Sequence, residues 1–244
     1  MRVTGSGNPA DLRLDMPAVT LTNQQVAALF FAPTVGGTLV NGAALAQQGA
    51  YTAGRNTSAR VRLAAAVASS ATLSASAGGV AIAANVIAPS VGAYVLVPAG
   101  AAINVSVNGS SVSAPSGPAT GSDSTLLVYG TAAAPTASLI ADDNHLPTTS
   151  GNLKLRLLDG LTGAAAPLSL DAAFAVIASN IVPGTASSYA VVASSTALRV
   201  DVFSPTSLTP IYSDPAMSVP GNAVYTLFML GDAAAPIPLL RRDR

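Results

Sequence analysis

Residues 125–135 read Thr125-Leu126-Leu127-Val128-Tyr129-Gly130-Thr131-Ala132-Ala133-Ala134-Pro135, and residues 226–236 read Thr226-Leu227-Phe228-Met229-Leu230-Gly231-Asp232-Ala233-Ala234-Ala235-Pro236. An internal copy of this quality marks a duplicated unit. Further landmarks extend it. The stretch Ala59-Arg60-Val61-Arg62-Leu63 matches Leu153-Lys154-Leu155-Arg156-Leu157, Asn85 matches Asn180, and Tyr94 matches Tyr189. Ile103-Asn104-Val105-Ser106-Val107 matches Leu198-Arg199-Val200-Asp201-Val202. These pairs lie 94 or 95 residues apart and the opening motif 101, so the second copy carries an insertion, expected in a loop.

The copies alternate apolar and polar residues over short runs, with turn signals every 8–12 residues, the pattern of a β-sandwich or barrel. The reading is an all-β chain: two tandem Ig-like antiparallel β-sandwich domains with an N-terminal β extension. Residues 59–147 form the first repeat and residues 148–244 the second. Residues 1–58 either complete the first domain or serve as an assembly arm. Within them residues 11–21 alternate, residues 26–31 fit a strand or a short helix, and residues 1–8 are expected to be disordered or extended. Residues 109–122 form a low-complexity loop. Residues 144–152 are a short linker that holds the repeats close.

Composition agrees. All eleven acidic residues are Asp, and Lys154 is the only lysine among eleven basic residues. Glu and Lys are the usual residues of a helix's wet face, so their scarcity argues against exposed helices. Charged residues are 9% of the chain, against about a quarter ordinarily, and the net charge is zero. No nucleic-acid or anionic-membrane partner is expected. Mean hydropathy is +0.51, yet apolar runs are broken too often for a transmembrane helix. With no Cys there is no disulfide scaffold, thiolate metal site or Cys nucleophile. The first residues carry no apolar export segment, while the composition looks secreted, so a mature exported form is expected.

The strand motifs that open and close each unit resemble those of the bacterial domain-of-unknown-function family 4397. The resemblance spans residues 59–244. It implies exported tandem β-sandwiches in a cell-envelope or extracellular setting, and no catalytic residues. Aspartates that often follow that family's first strand occur only as Asp159 and Asp171, in the second unit.

Motifs for chemistry are sparse. His145, the single histidine, lies near Asp142 and Asp143, and reads as a polar linker residue before Pro147 rather than a general base. No Gly-x-Ser-x-Gly elbow occurs. Asp142-Asp143-Asn144 reads as a capped turn ahead of a Ca²⁺ loop. Gly5-Ser6-Gly7-Asn8-Pro9-Ala10 lacks the strand–helix context of a dinucleotide fingerprint. Asn56, Asn104 and Asn108 head coincidental glycosylation patterns. Arg241-Arg242-Asp243-Arg244 reads as a solvated basic segment or an anchor on a neighbouring subunit. Tyr94 and Tyr189 are expected to be packed, each with a bonded hydroxyl.

The expectation is therefore a non-catalytic, exported cell-surface or extracellular protein, structural or adhesive, without cofactor or metal. With so few charges its strand edges need covering, by self-association or by another envelope protein. Residues 11–21, with Leu12, Leu14, Met16, Val19 and Leu21, are the candidate assembly strand, able to add to another subunit's sheet. The alternative is a module that binds a glycan, polymer or protein through sandwich loops.

Overall fold

The computed structural model describes residues 1–68, 70–163, 167–205 and 207–244, and every regular element among them is a β-strand. Residues 1–54 build two sheets of their own. Strands β1 (Arg2–Gly5) and β2 (Asn8–Asp15) form an antiparallel hairpin. Strands β3 (Ala27–Pro33), β4 (Val40–Ala46) and β5 (Tyr51–Gly54) form a three-stranded antiparallel sheet. Residues 1–8 are therefore neither disordered nor a free arm. The alternating residues 11–16 need a pairing partner, and the turn at Gly7, with φ of 72°, folds the preceding segment back to supply it. Leu14 and Met16 then lie buried against Gly42 and Gly54. A Cβ on Gly54 would fall 2.5 Å from the Met16 side chain, so only glycine lets the hairpin sit this close.

The first repeat contains β6 (Ser58–Ala65), β7 (Thr72–Ala77), β8 (Val80–Ile87), β9 (Ser90–Val91), β10 (Val95–Pro98), β11 (Ile103–Val107), β12 (Ser110–Val112), β13 (Asp123–Gly130) and β14 (Pro135–Asp142). One sheet runs β10-β6-β13-β14 with β9 also on β6, and the other runs β12-β11-β7-β8. The second repeat contains β15 (Asn152–Thr162), β16 (Leu168–Ala172), β17 (Ala175–Ile181), β18 (Thr185–Ala186), β19 (Ala190–Ala193), β20 (Ser195–Phe203), β21 (Tyr212–Val219), β22 (Ala223–Asp232) and β23 (Ala235–Arg242). Its sheets are β18-β15-β22-β23, with β19 on β15, and β17-β16-β20-β21. Each strand of one repeat has its counterpart in the other. All pairings are antiparallel except β6 with β13 and β15 with β22, which run parallel.

Recurring residues mark recurring backbone needs. Asn85 and Asn180 both take positive φ, 51° and 58°, the region that Asn tolerates best among non-glycine residues. The glycines of the opening motif, Gly130 and Gly231, have φ of 94° and 84° where β13 and β22 turn into their hairpin partners. The insertion falls after β20, where residues 204–211 replace the turn Asn108-Gly109.

Two cores lie between the paired sheets, one including Val61, Leu63, Leu73, Val105 and Leu126, the other Leu155, Leu157, Leu170, Val200 and Leu227. A third joins the repeats: Ala64, Ala66, Val91, Leu127, Leu158, Phe228 and Leu230. The five-stranded sheets thus face each other, and their central strands are buried on both sides. This is why β13, β15 and β22 read as near-continuous apolar runs. Gly160 lies at a close approach of the repeats, since a Cβ there would fall 2.7 Å from Ala66 Cβ.

Residues 34–37 fasten the N-terminal sheet to the first repeat and the linker. Thr34 Oγ1 donates to Gly121 O at 2.7 Å, Gly36 N to Gly121 O at 3.0 Å, and Asn144 N to Gly36 O at 2.9 Å.

Candidate functional site

Four polar residue types recur at equivalent places on the facing sheets: Arg62 and Arg156, Thr125 and Thr226, Tyr94 and Tyr189, Asp142 and Asp243. Each repeat arranges them alike. Arg62 Nε donates to Thr125 Oγ1 at 2.9 Å, Thr125 Oγ1 to Asp142 Oδ2 at 2.7 Å, and Tyr94 OH to the same oxygen at 2.6 Å. Arg156 Nε donates to Thr226 Oγ1 at 3.0 Å, Thr226 Oγ1 to Asp243 Oδ2 at 2.6 Å, and Tyr189 OH to that oxygen at 3.2 Å. The repeats then exchange charges. Arg62 Nη1 donates to Asp243 Oδ1, and Arg156 Nη2 donates to Asp142 Oδ1.

Both guanidinium groups are stacked. Arg62 lies 4.6 Å from the Tyr94 ring centre and 5.0 Å from that of Phe228, and Arg156 lies 4.5 Å from that of Tyr189. Both arginines are 2% exposed. Burial works against the charge on Arg62, but the Tyr94 oxygen, Asp243 and Asp142 outweigh it and hold the group above its usual basicity. Arg156 is likewise raised: burial opposes its charge, and Asp142, Tyr189 and Asp243 outweigh it. Burial first, then Asp142, pushes the Tyr94 hydroxyl well up, and burial does the same for Tyr189. Two buried cations and two buried anions cancel, each bonded to several partners, which is the condition under which buried charge is tolerated. The arrangement holds two sheets in one relative placement.

The linker side carries a second clamp. Lys154 Nζ donates to Asp143 O at 2.8 Å, Asp143 Oδ2 at 2.5 Å and His145 O at 3.1 Å. Burial would raise the Asp143 carboxyl, but its bonds from Lys154 and His145 hold it below its ordinary value. His145 Nδ1 lies 2.6 Å from Asp143 Oδ1. The Asp142-Asp143-Asn144 trio diverges. Asp142 enters the network, Asp143 holds Lys154, and Asn144 Nδ2 donates to Asp123 at 2.8 Å. Among the described residues no group of His, Cys, Asp or Glu converges as a metal site.

The candidate assembly residues lie in the N-terminal unit. Leu14 and Met16 are buried beneath the three-stranded sheet, Leu12 and Val19 are half-buried, and Leu21 is exposed. β2 is already paired with β1. Both tyrosines are packed with a bonded hydroxyl, and the partners are the carboxylates of Asp142 and Asp243. Of the basic segment, Arg241 and Arg242 are exposed, Asp243 is buried, and Arg244 donates to Gly37 O and to Asn144 O. The loop after β12 is tied down by Gly100 N to Pro118 O at 2.8 Å and Gly121 N to Ser58 O at 2.8 Å. The network was missed because strict alternation assigns Arg62 and Arg156 to a wet face. The repetition of Arg, Tyr, Thr and Asp at polar positions of both copies was the signal that could have found it.

The three-stranded sheet presents an exposed apolar face. Leu45 sits between Ala28 and Tyr51, and Ala43 between Phe30 and Ala53, so these six share one face. The hairpin packs on the opposite face at Gly42 and Gly54, leaving Phe30 56%, Leu45 43% and Tyr51 66% exposed. Residues 16–54 contain no charged side chain.

Asp159 stands apart from the network. It is buried, and its Oδ1 accepts from Leu161 N at 2.9 Å. Burial pushes its carboxyl up to about 6, against that single hydrogen bond. A raised folded-state value means that the native chain binds the proton more tightly. Asp159 therefore costs stability as pH rises from about 4 through about 6. Asp159→Asn keeps the acceptor for Leu161 and removes the charge. It gains about 1–3 kcal/mol over the native chain at pH 7.5 and little at pH 4. Urea unfolding at both pH values checks this, and an equal gain at both would refute it.

No family model matches the chain, and no curated protein matches it.

Proposed function

We propose that the protein is a non-catalytic structural protein of an extracellular or cell-surface setting, in which copies associate through their N-terminal sheets. The uncovered face of Ala28, Phe30, Ala43, Leu45, Tyr51 and Ala53 carries this reading. Contiguous apolar patches on monomers are small, and larger ones mark contact surfaces. A flat sheet face packs naturally on another sheet about 10 Å away. A second copy is the fitting occupant, because both faces would be apolar and uncharged, and neither brings a charge that the other must neutralise. The outer edges of β3 and β5 are also free of strand partners among the described residues, and no Lys, Asp or Pro interrupts β5. The two sandwiches, locked by their reciprocal ion pairs, support this reading by making a stiff body behind the contact sheet.

Mass measurement and negative-stain microscopy test it. The native chain forms dimers or filaments as concentration rises. The double variant Phe30→Glu, Leu45→Lys stays monomeric with an unchanged melting temperature, because both side chains point to solvent in the single chain. A native protein that remains monomeric at high concentration, or a variant that assembles equally well, overturns the proposal.

A further inference from the structure

A cleft of about 650 Å³ opens between the N-terminal hairpin, the first repeat and β23. Its wall carries four arginines, Arg60, Arg62, Arg241 and Arg242, with Asp11 and Asp243. Both carboxylates are already engaged. Asp11 accepts from Arg13 at 3.0 Å, and Asp243 accepts from Arg62, Thr226 and Tyr189. The arginines are engaged to different degrees. Arg241 and Arg242 are exposed, the latter donating Nε to Arg244 O at 3.1 Å; Arg60 lies 3.6 Å from Asp123; and Arg62 is ion-paired with Asp243 and Asp142, its buried Nη2 lacking a hydrogen-bond partner.

The duplication shows how this wall differs from its counterpart. The repeat equivalents of Arg60, Arg241, Arg242 and Arg244 are Lys154, Ile140, Ala141 and Asp143. On that side the Asp143 carboxylate and two linker carbonyls cap the Lys154 ammonium, and Ile140 packs on the core between the repeats. On the cleft side arginines stand where the other copy has an isoleucine, an alanine and an aspartate. The acid that would cap the cation is thereby replaced by Arg244, whose guanidinium bonds Gly37 O and Asn144 O instead. One copy closes its cation with the linker carboxylate, and the other holds Arg60 3.6 Å from Asp123 and turns Arg241 and Arg242 to an open space.

We propose that this cleft is a binding site for an oxyanion, the carboxylate, sulfate or phosphate group of an acidic small molecule or of one unit of an acidic polymer. Its volume lies within the range of small-molecule sites. Guanidinium groups bind such anions in paired, charge-assisted hydrogen bonds. Arg241 and Arg242 supply the accessible donors, and Arg60 and Arg62 line the inner wall.

Titration calorimetry tests this with inorganic sulfate, inorganic phosphate and galacturonate, using galactose as the neutral control. At least one oxyanion binds and galactose does not. Tighter sulfate or phosphate assigns the site to tetrahedral esters, and tighter galacturonate assigns it to acidic sugars. Arg241→Ala, Arg242→Ala weakens binding about 10- to 100-fold, for two lost charge-assisted contacts, with the melting temperature unchanged. Arg199→Ala, on a different sheet, leaves binding intact. Absence of binding by all three anions, unchanged affinity in the double variant, or equal loss in Arg199→Ala overturns the site. Mass measurement on the same double variant separates this outcome from the assembly proposal, since neither arginine lies on the β3–β5 face.

Discussion

Asp142→Ala lowers the stability of the chain by about 3–5 kcal/mol, the cost of leaving a buried cation without its partner. Asp142 accepts from Thr125 and Tyr94 of its own repeat and from Arg156 of the other. Removing its carboxylate strands the Arg156 guanidinium where water cannot reach it. It also strips two hydroxyl donors of their acceptor. Asp243→Ala is expected to cost a similar amount, because Arg62, Thr226 and Tyr189 converge on Asp243 in the same way. The decisive comparison is the double variant Asp142→Leu, Arg156→Met. Removing both charges together leaves no uncompensated ion, so the double variant is less destabilised than Asp142→Ala alone. Equilibrium urea unfolding followed by circular dichroism measures all three. A cost below about 1 kcal/mol for Asp142→Ala would place the pair among exposed ion pairs and contradict the geometry.

The second large effect comes from Phe228→Ala. Phe228 is fully buried in the cluster between the repeats, and its ring lies 5.0 Å from the Arg62 guanidinium. Truncating it leaves a cavity between two sheets that cannot close, because the ion pairs around it fix their separation. The expected loss is about 3–5 kcal/mol, at the upper end of large-to-small core changes. The contact between repeats should loosen first. Limited proteolysis should therefore cut the linker at residues 145–151 faster in Phe228→Ala than in the native chain, under conditions where each sandwich stays folded. Equal linker protection in both would show that the ionic network alone holds the repeats together.

Much of the fold was legible from local pattern. The copied strands around Gly130 and Gly231 announced the duplication, and the glycines recur because the same turn needs positive φ twice. The scarcity of Glu and Lys pointed to sheets over helices. Alternation in residues 59–63 and 153–157 sets Val61 and Leu63, and Leu155 and Leu157, on one face of their strands, and these residues lie in the two cores. It failed for the other face. A strand's pattern reports that neighbouring residues differ in environment, and Arg62 beside Val61 differs from it whether it meets water or another sheet. The network is legible only once β6, β13, β15 and β22 are known to be central strands covered on both sides.

The candidate sites followed the same division. Leu12, Leu14 and Met16 were recognisable as one face of a strand, but the glycines of β4 and β5 on which Leu14 and Met16 pack lie 26 to 38 residues away in the chain. The apolar face of Phe30, Leu45 and Tyr51 depends on register across three strands, which no single stretch encodes.

By itself, then, the chain's sequence determined an all-β duplicated scaffold of low charge, because strand period, turn residues and composition are local properties. Tertiary structure alone decided that the repeats meet sheet to sheet. It also decided that Arg62 and Arg156 exchange partners across the contact and that Arg241 and Arg242 face an open cleft. These depend on which distant surfaces are brought together, and the energy of a buried charge is set by neighbours as far off in the chain as Asp243, 181 residues from Arg62.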